Sequence, residues 1–390
     1  MPAFTDFGLG PLIISSLEKM GFKEPTPIQT EAIPLIQKKH DLIALAQTGS
    51  GKTATCAIPI CDRVDVSSPN VQALIIVPTR ELALQYATEA QKIGQEKGVK
   101  AFAVYGGEDA AMQQSKLKNG VQVLVATPGR LIDFIYSRSI DLSNVETLIL
   151  DEADEMLSMG FYEDLEFIIQ CLNHVHQTLL FSATMPKEIR AIAQKHMIDP
   201  QEVSLISTAS PASIEHKFVY CKHFQRAANL IHLVESENPK QAIVFCQSRE
   251  QCEEVCKGLQ QKVANVDFLH AGLGQNFRSA ITSKFRSGRI RILVATDVAA
   301  RGLDFSEVSH IFIYQLANDP DVYVHRAGRT GRRDRAGIVI TLVTDRELPP
   351  LHRVLARLNR DVVWIGAPPP TKPVHHRHHV HRPPPSKHSN

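Results

Sequence analysis

The stretch DLIALAQTGSGKT, Asp41 to Thr53, decides the fold. It opens on an aliphatic run of strand length, turns at Gly49 and Gly51, and enters a helix-compatible segment at Lys52. Near-continuous apolarity marks a strand buried on both faces, as in a parallel sheet covered by crossover helices. The two glycines let backbone amides face an anion where the helix starts. Lys52 has the reach for β- and γ-phosphates, and the Thr53 hydroxyl suits Mg²⁺. Ala46, Gln47, Thr48, Gly49, Ser50, Gly51, Lys52 and Thr53 therefore read as a nucleoside triphosphate loop, with Ala46 where the generic pattern has glycine.

A second apolar strand, in LILDEADEML (Leu148 to Leu157), runs straight into carboxylates. Alone, an acidic pair at a strand end is an ordinary turn. Beside a phosphate loop it gains a use: Asp151 would hold Mg²⁺, directly or through water, and Glu152 would orient and deprotonate an attacking water.

The same alternation organises the rest. Aliphatic runs in VQALIIVP, VKAFAVYG, VQVLVATP and QTLLFSAT complete one α/β unit over residues 1–205, with two helical segments before its first strand. After a polar hinge at 206–213 the pattern resumes in KQAIVFCQ, VANVDFLH, IRILVATD, SHIFIYQ and GIVITLVT, giving a second α/β unit over 214–362. A chain of 390 residues is comfortable for two such cores. Residues 363–390, rich in proline and histidine, have little from which to build a core and are expected to be a disordered basic tail. His375, His376, His378, His379 and His381 could hold a transition metal weakly, but a pH-sensitive basic tail is the plainer reading.

Composition excludes more than it identifies. Hydrophobic residues make up 43% and charged residues 22%, without a membrane-length apolar run or a signal pattern, so a cytoplasmic protein without membrane attachment is expected. Seven scattered cysteines suggest neither a disulfide framework nor a zinc site; Cys252 and Cys256 share a helical face as packing residues. The formal charge is +2, and Lys372, Arg377, Arg382 and Lys387 supply +4 after residue 361, which leaves 2 − 4 = −2 for the remainder. Any nucleic-acid surface must therefore be a local patch.

Taken in order, AQTGSGKT, PTREL (Pro78 to Leu82), TPGR (Thr127 to Arg130), DEAD (Asp151 to Asp154), SAT (Ser182 to Thr184), ATDVAARGLD (Ala295 to Asp304) and HRAGRTGR (His325 to Arg332) resemble the DEAD-box RNA helicases of superfamily 2 over roughly residues 4–345. The resemblance implies two RecA-like domains with predominantly parallel sheets, ATP and Mg²⁺ as cofactors, and RNA gripped mainly through its sugar-phosphate backbone. It also implies that Gln29, in GFKEPTPIQ, reads the adenine edge, that Phe22 packs on the base, and that Phe4 supports it. Gly302 and Asp304 would lie at the ribose. Arg329 and Arg332 would act as arginine fingers organised by Arg326, His325 would join an interdomain network, and Ser182 and Thr184 would bond to Asp154 and relay closure.

The RNA path is read at Pro78, Thr79 and Arg80; Gly106 and Gly107; Thr127, Pro128, Gly129 and Arg130; Gln275 and Arg278; and Thr296 and Asp297. Amides, hydroxyls and guanidinium groups at strand and helix ends grip phosphates without reading bases. Gln315, Asp334 and the HAGLGQ segment (His270 to Gln275) depart from the usual family pattern without removing a residue assigned to the chemistry; Asp334 adds negative charge near the arginine loop and Gln315 could loosen its support, which leaves a slower ATPase or altered RNA coupling open.

The expected function is RNA-stimulated ATP hydrolysis coupled to RNA clamping and local unwinding of short duplexes. An ATP-gated clamp or ribonucleoprotein scaffold would carry the same motifs, and a more distant alternative is an ATP switch without nucleic acid. Ribonucleoprotein or ribosome-associated partners are a family-level expectation, as is a monomeric core.

Overall fold

The computed structural model describes residues 2–46, 49–172, 174–205, 214–300, 307–331 and 335–370, without the side chains of 275, 298 and 300. The first sheet is built from β1 (Leu42–Leu45), β2 (Ala73–Ile76), β3 (Ala101–Val104), β4 (Val123–Ala126), β5 (Thr147–Leu150), β6 (Gln177–Ser182) and β7 (Gln201–Ser204). Its order is β3-β4-β2-β5-β6-β1-β7, with every pairing parallel. The second comprises β8 (Ile214–Tyr220), β9 (Ala242–Cys246), β10 (Val266–Leu269), β11 (Ile292–Thr296), β12 (His310–Ile313) and β13 (Gly337–Val343). These follow the order β10-β11-β9-β12-β13-β8, again parallel.

Strand period explains the burial. Along β2, Ala73 and Ile75 enter the core under the helices Lys52–Arg63 and Arg80–Ile93, while Leu74 and Ile76 enter the opposite core with Leu131 and Phe134. Both faces are dry, so the strands contain no polar alternation. Because all the strands run the same way, the loops after β1, β2, β3, β4, β5 and β6 emerge along one edge, where α/β sheets place ligands. The register sets their level: Leu45 pairs with Ser182, and Leu150 with Leu180.

Two strands have no counterpart in the sequence reading. β7 and β8 are flanking strands with mixed burial, and their polar residues break the apolar pattern. The chain also stays paired beyond residue 362, where the second domain was expected to end. Phe218 N donates to Val363 O at 2.8 Å, Ile365 N donates to Phe218 O at 2.8 Å, and the Trp364 ring meets Phe218 edge-on. A boundary at 362 is therefore corrected: residues 363–365 extend the sheet at the β8 edge, because an unpaired edge and an exposed Trp are both costly. The hinge 206–213 and the histidines of 375–381 lie outside the described residues, and among those described no helix is long and apolar enough to cross a membrane.

Candidate nucleotide site and nucleic-acid path

The loop after β1 reaches its helix through Gly49 and Gly51, both left-handed, at φ 87° and 98°. A Cβ on Gly51 would also come within 2.9 Å of Gln29 Nε2, so a close approach and a positive φ both demand glycine there. Gln29 caps its own helix: its Oε1 accepts from Thr26 N at 2.9 Å, while Nε2 donates to Gly51 O at 3.4 Å. The adenine-reading candidate thus ties its segment to the phosphate loop and retains one N–H and one lone pair. Phe4 is buried and meets Phe22 edge-on at 5.9 Å. Gln47 and Thr48 lie outside the described residues, whereas Ala46 accepts from Lys52 through its carbonyl at 3.0 Å.

Lys52 is only 6% exposed, and its ammonium stands 4.0 Å from Asp151 Oδ1. Asp151 is anchored to β2 through its amide on Ile76 O at 3.0 Å, and its Oδ1 accepts from Glu152 N at 2.8 Å. Glu152 adopts φ 53°, a left-handed conformation that costs a non-glycine residue about 1–3 kcal/mol and clusters at functional sites. That twist starts the helix Ala153–Ser158, while Glu152 Oε2 stays buried without a hydrogen-bond partner. Burial raises the pKa of Glu152, with Arg329 and then Lys52 pulling the other way. It raises that of Asp151 too, against Lys52. A sequestered ammonium, two buried carboxylates and an orphaned oxygen fit a triphosphate with a divalent cation, which Thr53 and Asp151 would hold.

Asp154 is the junction of three elements. Its Oδ2 accepts from Thr184 N at 2.8 Å and from Thr184 Oγ1 at 2.9 Å, and its amide donates to Ser182 Oγ at 3.2 Å. From the second domain, His325 reaches over with Nδ1 3.1 Å from Glu155 Oε1 and Nε2 3.9 Å from Asp154 Oδ2. Burial lowers the His325 pKa, but hydrogen-bonded Glu155 and nearby Asp154 outweigh it, so the net shift is upward despite Arg329.

Arg326 is 2% exposed and grips Asp297 with two nitrogens, at 2.7 and 2.8 Å. Its third nitrogen donates to Gln315 O at 2.8 Å. Because the carbonyl makes this contact, the Gln315 side chain is not what supports the arginine; its Oε1 accepts from Gln251 instead. Arg329 is also buried, and close enough to lower the Glu152 pKa. Arg332, Gly302, Asp304 and Asp334 lie outside the described residues.

On the nucleic-acid side, Thr79 Oγ1 caps the helix Arg80–Ile93 by accepting from Leu82 N at 3.3 Å, and Pro78 precedes it. Arg80 lies over the Tyr105 ring at 4.3 Å, next to Gly106 and Gly107. Thr127, Pro128 and Gly129 open the helix Pro128–Tyr136, which carries Arg130. Arg80 Nε and Arg130 Nη1 are buried without hydrogen-bond partners, as donors kept for an anion would be, while Arg130 Nε faces Asp133 Oδ2 at 3.7 Å.

Two expectations for this path change. Arg278 pairs across the domains with Glu81 at 2.9 Å, so its charge is already engaged, although its Nε has no partner. Asp297 spends its carboxylate on Arg326, and an acid would in any case repel phosphate. Thr296 is buried at the end of β11, and the Gln275 side chain lies outside the described residues. The sequence reading gave no role to Glu81 or Glu155. Their only signal was position, one residue after Arg80 and one after Asp154.

Comparison with known proteins agrees with this geometry. Residues 26–192 match the DEAD/DEAH box helicase family and residues 225–334 the helicase conserved C-terminal domain. The DEAD-box ATP-dependent RNA helicase CshA of Bacillus subtilis is 42% identical over 352 residues, 90% of this chain and 71% of the relative. The structure of S. cerevisiae Dbp5 bound to RNA and ADP BeF3 superposes with a TM-score of 0.86 at 28% identity, covering 94% of this chain and 96% of that one. A variant of S. cerevisiae Dbp5 bound to Nup159, Gle1, IP6 and ADP reaches only 0.66 at 27% identity, with 92% and 95% covered. The two sheets and their helices are thus two RecA-like domains, and the chain belongs to the DEAD-box family of RNA helicases.

Proposed function

We propose that this protein is an ATP-dependent RNA helicase that closes its two domains around ATP and RNA, unwinds short duplexes locally, and reopens after hydrolysis. The observation that carries the reading is polar contact crossing between the domains onto both sites at once: His325 on Glu155 and Asp154, and the Arg278 guanidinium on Glu81. The higher TM-score with Dbp5 bound to RNA and ADP BeF3 than with the ADP complex supports a closed arrangement here.

In this reading the amides from Gly49 to Thr53 and the Lys52 ammonium hold the phosphates, and Gln29 with Phe22 holds the adenine. Mg²⁺, when bound by Thr53 and Asp151, neutralises phosphate charge. Glu152 takes the proton of the attacking water. Arg329, joined by Arg332, places positive charge where negative charge develops, which makes hydrolysis conditional on closure. Asp154 senses closure through His325 and passes it to β6 through Ser182 and Thr184. Arg80 and Arg130 hold RNA phosphates, and the 2′-hydroxyl is the handle for RNA over DNA.

A short-duplex release assay with ATP, ADP and a non-hydrolysable analogue, read beside ATP turnover, tests this. Strand release with ATP supports the helicase. Long RNA retention without release identifies a clamp, and turnover indifferent to RNA refutes both.

A further inference from the structure

Arg80 and Arg130, each with a buried donor that lacks a hydrogen-bond partner, converge on one acid that lies in the same path. Glu108 follows Gly106 and Gly107, beyond the end of β3. Its Oε2 stands 3.9 Å from Arg80 Nη2, and its carbonyl accepts from Arg130 Nη2 at 3.0 Å. The Tyr105 hydroxyl leans on the same carboxylate: burial, and next the hydrogen bond to Glu108, push the phenol up to about 12. Tyr105 is also the ring on which the Arg80 guanidinium rests. The Glu108 side chain is 34% exposed, against 16% for Arg80.

Such an ion pair is weak. A contact of this length, with the acid open to solvent, falls within the small range of exposed pairs, whereas a phosphate offers Arg80 a charge-assisted hydrogen bond. Among the described residues, a Cβ built on Gly106 or Gly107 meets no atom of a residue other than its chain neighbours within 4 Å, which leaves room beside the glycines. A nucleic-acid backbone laid there would meet the Glu108 carboxylate as a like charge and have to take Arg80 from it.

We propose that Glu108 is a built-in competitor for RNA, pairing with Arg80 until backbone phosphates displace it, so that tight RNA binding requires the extra contacts of the ATP-closed state. This rests on the assignment of Arg80 and Arg130 to the RNA backbone. Glu108 thereby sets the baseline affinity of the first domain for RNA, to which closure adds its own contacts, without touching the nucleotide.

The test is equilibrium binding of a short labelled single-stranded RNA to the full chain, with and without a non-hydrolysable ATP analogue, across a salt series. Parent, Glu108→Gln and Glu108→Asp proteins are compared, with circular dichroism confirming their fold. Without nucleotide at low salt, Glu108→Gln is expected to bind about five- to tenfold more tightly, the size of one nearby unit-charge repulsion in a high dielectric. Its slope of log affinity against log salt should steepen by roughly 0.7, one phosphate contact on a single strand. Affinity with the analogue should rise by a similar factor, since Glu108 contacts first-domain arginines alone, and Glu108→Asp should stay near the parent. Unchanged or weaker binding by Glu108→Gln overturns the proposal, since Glu108 would then only hold the arginines in place. So does Glu108→Asp behaving like Glu108→Gln, because charge would not be the cause. A parent that binds no RNA in any condition removes the RNA reading and this proposal together.

Discussion

Replacing Glu152 by Gln should move catalysis and stability in different directions. The side chain is 6% exposed, one carboxylate oxygen has no partner, and burial raises its pKa. A folded-state pKa above the unfolded one means that the proton favours the folded protein. The cost of the buried charge is thus fully present above the folded pKa and fades as pH falls through it. Above that folded pKa, an unsatisfied buried polar group costs about 1–3 kcal/mol, more when charged. The amide keeps the shape and sheds the charge, so a gain on the order of 1 kcal/mol is expected, roughly 2–4 °C in Tm for a domain of this size. Turnover should fall about 10²- to 10⁴-fold as the base is lost, while ATP and RNA still bind. Calorimetry and steady-state turnover at saturating ATP and RNA read both effects. A folded variant with turnover within a few-fold of the parent would refute the role of Glu152. A Tm lower by several degrees would refute the claim that its charge is held at a cost.

Three further outcomes are expected. Glu81→Gln and Arg278→Met should each weaken analogue-dependent RNA retention, and a double-mutant cycle should return a coupling of about 0.5–3 kcal/mol; strictly additive effects would show that the 2.9 Å pair does not support closure. Because the His325 pKa is raised, its favourable pairing with Glu155 and Asp154 is fully present below the ordinary histidine value and lost as pH rises through the folded one, so RNA retention with the analogue should decline over that window. A His325→Asn protein should lose this pH dependence, and an unaltered profile would assign it elsewhere. A chain ending at residue 362 should lose two backbone hydrogen bonds and the Trp364–Phe218 contact, destabilising the second domain by about 2–4 kcal/mol relative to one ending at 370, and equal Tm values would contradict the pairing seen at β8.

The sequence revealed whatever sits on buried strands and glycine turns. Eleven of the strands read as apolar runs because both faces of each sheet are dry, and the phosphate loop was visible because Gly49 and Gly51 are the residues its backbone requires. β7 and β8 were hidden by polar residues on their open sides, and Trp364 by its place beyond the last apolar run. Within the site, Lys52, Asp151 and Asp154 were legible because their chemistry is local to a motif. The partners of Arg278 and Asp297 were not, since an arginine read as phosphate-binding and one paired with Glu81 differ only in what the other domain presents. Long-range charge pairing carries no sequence period to read.

The claim on which the rest depends is that one active site is completed by both domains. RNA-stimulated ATP turnover of Arg329→Ala, at saturating ATP and RNA and with folding confirmed by circular dichroism, addresses it most directly. Arg329 belongs to the second domain, yet its charge acts on Glu152 of the first. The expected result is intact ATP binding with turnover reduced by roughly 10³ to 10⁵, the range of arginine fingers in phosphoryl transfer. A well-folded Arg329→Ala protein that turns over ATP at near the parent rate would contradict the composite site.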